Sequence, residues 1–105
     1  MATITEDYCS KEIYRLLIEK GFDEEGYTQP SITLQMAMKW LVREHRLYVN
    51  VAPSVEGYYW TEKWHSYVEE LNKRHPFGTF IGTFNSYEKA CEAAIKYCLE
   101  KKLIL

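Results

Sequence analysis

Glycine and proline are scarce in this chain, five and three of 105 residues. They form no cluster long enough for a linker or a low-complexity segment, and no internal repeat is visible. Cysteine is sparse too. Cys9, Cys91 and Cys98 are odd in number and contain no Cys-x-x-Cys, which excludes a disulfide framework and the common zinc spacings. Cys91 and Cys98 fall seven residues apart on a predicted helix, roughly 10 Å along its axis, too far to bridge each other. Reduced thiols in a reducing compartment are the reading that follows.

Long hydrophobic runs are missing as well. No stretch approaches the roughly 20 apolar residues of a membrane helix, and no basic segment precedes an apolar one at the start. The sequence therefore predicts a cytoplasmic protein. Charge of one sign is not in excess either, since the net charge is −2. Residues 1–26 carry seven acids against three bases, and residues 27–53 one acid against three bases. The second stretch, with Lys39, Arg43 and Arg46, is a mild basic zone rather than a phosphate-binding stripe.

Catalytic signatures are absent. There is no Gly-x-Ser-x-Gly, no His-Glu-x-x-His, no P-loop and no Gly-x-Gly-x-x-Gly. His45, His65 and His75 stand at no ligand spacing, so no metal and no cofactor are expected. Cys9 with a histidine is the one arithmetical nucleophile, but Glu6, Asp7 and Glu12 around it would raise a thiol pKa rather than lower it. The paired acids Glu24-Glu25 and Glu69-Glu70 read as solvated. A non-enzymatic protein is the expectation.

What the chain does have is an ordinary core and an excess of rings. Apolar residues are 47% and aromatic residues 15%, nine of them tyrosines. That composition belongs to a single compact domain over residues 1–105. Tyrosine, apolar in body and polar at the tip, suits half-buried sheet faces and interfaces.

Residues 10–20 read as a helix with Ser10 as N-cap and Gly21 as the left-handed residue after its end. Asp23 to Pro30 reads as a loop. Ser31 to about Glu44 reads as a second helix, capped by Ser31, with Leu34, Ala37, Met38 and Leu41 as its core stripe. From Arg46 the period changes to two, with Leu47, Val49 and Val51 on one face. Pro53 to Gly57 reads as a turn. A second strand opens at Tyr58. Residues 64–71 fit a helical template too, but a strand reaching the high sixties gives Gly78–Phe84 an antiparallel partner, and that reading is preferred. Residues 72–78 form a loop and Thr79–Phe84 a third strand. The last helix starts at Asn85 or Ser86, with Asn85 and Glu88 at capping-box spacing. Leu103-Ile104-Leu105 is an apolar tail. The order ααβββα defines an α+β domain, a three-stranded antiparallel sheet with helices packed on one face.

The segments Leu16 to Glu24, Thr33 to Leu41 and Phe84 to Glu100 look like those of a family of short uncharacterised proteins from Bacteroides-type bacteria and their phages or mobile elements. That resemblance spans most of the chain and implies a setting but no catalytic residues. Against that family this chain is short between Gly26 and Pro30, which implies that an extra strand is missing. Gly82-Thr83-Phe84 followed by a helix carrying Glu88 and Ala90 is also similar to the end of AP2-type and integrase arm-type DNA-binding domains. That likeness implies weak nucleic-acid binding by the sheet through Arg46, Lys63 and His65, although the acids Glu62 and Glu69 stand beside them.

The aromatic run is the leading site. Tyr59, Trp60, Trp64 and Tyr67 are expected to give the sheet an aromatic face that binds another protein or a second copy of the chain. Half of these rings belong in the core if the strand alternates regularly. The loop Lys73-Arg74-His75 and the zone at Lys39, Arg43 and Arg46 read as solvated surface. A protein partner or homodimer is expected, with no membrane and no small-molecule substrate.

Overall fold

The computed structural model describes residues 8–22, 32–72 and 78–102. The expected loop at 23–30, the Ser31 cap, most of the 72–78 loop and the tail at 103–105 lie outside them. Three helices, α1 (Lys11–Glu19), α2 (Leu34–His45) and α3 (Tyr87–Tyr97), accompany a sheet of β1 (Leu47–Glu56), β2 (Tyr59–Glu70) and β3 (Thr79–Phe84). The chain order is α1-α2-β1-β2-β3-α3, an α+β domain. All pairings are antiparallel, with β2 in the centre and β1 and β3 at the edges.

Local signals explain most of the boundaries. The Ser10 hydroxyl accepts the Ile13 amide at the start of α1. At its end Gly21 adopts φ +98°, the Gly21 amide donates to Ile18 and the Phe22 amide to Leu17. That reciprocal pair closes the helix and folds Phe22 into the core. Ser86 caps α3 by accepting the Lys89 amide, so the cap is Ser86 and the Asn85–Glu88 capping box is not used. A π-helical turn, Cys98–Lys102, continues α3. In it Lys102 reaches Glu70 of β2 at 2.7 Å.

Two boundaries differ from expectation. Helix α2 begins three residues after Ser31, with Thr33 as its N-cap accepting the Met36 amide. Thr33 pairs in an isolated antiparallel bridge with Tyr8, and the Cys9 amide donates to the Ile32 carbonyl at 2.9 Å. This holds residues 32 and 33 extended, so the helix cannot begin before Leu34. The second difference is Pro53, which lies inside β1 and not in a turn; the strand runs on to Glu56, and Gly57-Tyr58 makes the reversal. The Arg46 carbonyl accepts the Leu71 amide. By the alternation of an antiparallel ladder, Tyr48, Asn50 and Ala52 then bond across to β2. Leu47, Val49, Val51 and Pro53 turn their amide positions to the outer edge. A proline there removes no ladder bond.

The core lies between the sheet and the helices. Leu47, Val49 and Val68 meet Leu34, Ala37 and Leu41 of α2 and Cys91, Ala94 and Ile95 of α3 in one buried cluster. Small residues allow α3 to approach the sheet closely. Ser66 of β2 is fully buried, and its hydroxyl donates to the Ala90 carbonyl at 2.8 Å. Opposite Ser66 stands Gly82 of β3, where an added Cβ would come within 3.1 Å of the Phe84 ring. Helix α1 packs on α3, where Lys96 reaches Glu12 at 2.7 Å.

Candidate functional site

Residues 64–70 are strand, continuous with the aromatic run. Alternation along β2 therefore divides the four rings picked out by sequence. Trp60 and Trp64 stand on the helix side. Their centroids lie 5.6 Å apart, edge to face, and Trp64 meets Tyr87 of α3 at 5.4 Å in the same way. Trp64 is half-buried and ties the hairpin to the first turn of α3. Trp60 lies beyond the helices, 52% exposed, with its indole N–H donating to the Lys63 carbonyl. Tyr59 is 79% exposed at the hairpin end, beside Tyr58 in the turn. Tyr67 lies on the face that no described helix covers, and Tyr59 points to the same side at the hairpin end.

That uncovered face follows from the register. Tyr48 stands opposite Glu69, Asn50 opposite Tyr67, and Ala52 opposite His65. Across the other seam His65 opposes Thr83 and Tyr67 opposes Phe80. A bulge between these two pairs sets Ile81 and Gly82 consecutively on the helix side, which keeps Phe80 and Thr83 facing out. Tyr67 and Phe80 rings lie 5.4 Å apart, and His65 lies 5.7 Å from Phe80 and 6.3 Å from Tyr67. His65 Nδ1 is 2.9 Å from the Thr83 hydroxyl. Phe80 is 55% and Tyr48 43% exposed. Phe80 and Tyr48 are thus part of this face, although sequence reading passed over both; their alternate spacing in strands was the signal.

The residues proposed for nucleic acid do not gather. Arg46 ends α2 in the left-handed region at φ 55° and sits beside Leu71, six residues along β2 from His65, or about 20 Å. Lys63 is exposed near the hairpin, next to Glu62, itself at φ 64°. A basic stripe is not formed by these three.

The thiols are enclosed. No cysteine is in a disulfide, and all three are buried. Burial pushes the Cys9 thiol up to about 12, and Glu92 adds to the rise. It does the same for Cys98, to about 12, with Lys102 acting in the opposite direction. Burial comes first among the causes at the described residues; Glu6 and Asp7, expected to raise this thiol, lie outside them. Among the described residues no group of three His, Cys, Asp or Glu side chains could hold a metal ion. No helix among them is long and apolar enough to cross a membrane.

A separate groove of about 430 Å³ lies between α2 and β1, with Tyr87 of α3 also lining it. Its helix wall carries Gln35, Lys39 and Arg43, and its floor includes Met38, Val42 and Val49. Sequence reading placed Lys39 and Arg43 on a solvated face and gave no sign of a facing strand edge.

The chain matches no family model, no curated protein and no solved structure.

Proposed function

We propose that this chain is a non-enzymatic binding module that associates with a second copy of itself through the uncovered face of its sheet. One observation supports the reading above others: Tyr67, Phe80 and His65 form a contiguous ring cluster on a sheet face that no described helix covers. Exposed apolar patches of this kind mark contact surfaces. The face is also poor in charge. Between Glu69 at one end and Glu56 at the hairpin end, its register positions hold Tyr48, Asn50, Ala52, His65, Tyr67, Phe80 and Thr83. Such a face can meet its own image without setting like charges against each other.

Its size decides the strength. Three strands of about six residues span roughly 20 by 14 Å. That footprint is well below the ~800 Å² per partner of a standard stable interface. The association is therefore weak and concentration-dependent. A non-catalytic role is supported by the buried, high-pKa thiols and by the exposure of the His65–Thr83 pair, which lies on an open surface where water is not shut out.

Sedimentation equilibrium over a wide concentration range tests the reading. The expected result is a mass rising above the 12.5 kDa of one chain, with the rise abolished in the Tyr48→Glu/Phe80→Glu double variant. Circular dichroism checks that this variant stays folded. A chain that remains monomeric at millimolar concentration, or a folded double variant that associates as before, overturns it.

A further inference from the structure

We propose that the outer edge of β1, walled by α2, receives an extended acidic segment of another protein as a fourth strand of the sheet. Four observations converge on this edge. The first is its backbone. Ladder alternation turns the N–H and C=O groups of Leu47, Val49 and Val51 outward, and no described backbone bond satisfies them. An edge of this kind is a template for strand addition. Pro53 and the register shift between Pro53 and Val55 end the template, so it accommodates about six residues.

The second observation is the groove beside it. Most β edges open onto solvent; this one opens into a trough of about 430 Å³ whose far wall is a helix. An incoming strand alternates its side chains. One set would enter the trough over Met38, Val42 and Val49, and the other would lie toward the uncovered face beside Tyr48. The helix wall from Gln35 to Arg43 is about 12 Å long, comparable to the edge it faces.

Charge supplies the third. Lys39 and Arg43, four residues apart, stand on the same wall, and Arg46 follows at the helix end. Arg43 is engaged by Glu44 at 3.1 Å, whereas Lys39 makes no ion pair among the described residues. Two cations over an apolar floor select a segment in which acids alternate with aliphatic residues. The same charges disfavour a second copy at this edge. The strand it would offer, Leu47-Tyr48-Val49-Asn50-Val51-Ala52, has no acid and would bring the cations of both copies together.

Fourth, Gln35 lines the trough and holds an Oε1 that is buried and accepts no hydrogen bond. An acceptor left in that state costs free energy. Turning the amide toward an N–H of the incoming strand removes that cost, so the empty wall is already biased toward a donor.

This site shares Tyr48 and Asn50 with the uncovered face but makes no use of Tyr67, Phe80 or His65, and either site can fail without the other. The probe is a fluorescein-labelled hexapeptide alternating glutamate and valine. Controls are a lysine–valine peptide and a glutamate–valine peptide N-methylated on the amides of one edge. Fluorescence anisotropy is expected to show binding of the acidic peptide alone, weakened tenfold or more by Lys39→Glu/Arg43→Glu, both exposed positions. In 15N-resolved spectra the amides of Leu47, Val49 and Val51 should shift and become protected from exchange. No binding at millimolar peptide, equal binding of the N-methylated peptide, or shifts confined to the Tyr67–Phe80 face overturns the proposal. So does protection of the same three amides at high protein concentration without peptide, which would make the occupant a second copy.

Discussion

The two faces of the sheet are built from the same three strands and differ only in which alternate residues they present. Toward the helices stand Leu47, Val49, Ser66 and Val68, all buried; away from them stand Tyr48, Tyr67, His65 and Phe80, none of them fully enclosed. The buried face uses small and branched side chains that let α3 come close enough for a hydrogen bond from Ser66 to the helix backbone. The bare face uses rings, which shield one another at centroid distances of 5.4–6.3 Å. Burial here follows position on the pleat more than hydrophobicity: Ser66 is enclosed and Phe80 is half in water.

Breaking the buried face should have the largest effect. Val68→Asp places a carboxylate in the cluster with no partner, and loss of about 4 kcal/mol or more is expected. Chemical denaturation should find the variant largely unfolded; a native-like midpoint would show that the two faces are energetically alike. Ser66→Ala sharpens the comparison at an intermediate size. It removes one buried hydrogen bond while the Ala90 carbonyl keeps its place in the helix, so a loss of about 1–2 kcal/mol is expected, read from the urea midpoint. On the bare face Tyr48→Thr keeps a strand-favouring residue and should cost less than about 1 kcal/mol. A larger loss would mean that the ring side contributes to folding as a core does.

Sequence made the fold legible where a local signal and a long-range one agreed. Thr79–Phe84 as β3 and Gly21 as the end of α1 both follow from short-range pattern. The misplaced boundaries have tertiary causes. Ser31 and Thr33 are equally able caps, and only pairing with Tyr8 and Cys9 decides between them. Pro53 signals a turn to any local reading, but an outward edge position makes it harmless. The site was legible in part: the rings of β2 were visible, while their division between faces required the register. The trough was not legible at all, because nothing in the sequence says that β1 is an edge or that α2 stands beside it.

The hairpin end shows what alternation demands of insertions. One residue separates Pro53 from Val55 in β1, whereas three separate Trp60 from Trp64 in β2. Their partners thus differ by two positions, an even number, so Trp60 remains on the same side as Trp64. A difference of one would have turned the tip over, carrying Trp60 to the opposite surface and exchanging its place with Tyr59. Length in this segment can therefore change in pairs with little rearrangement, and singly only by inverting everything beyond it.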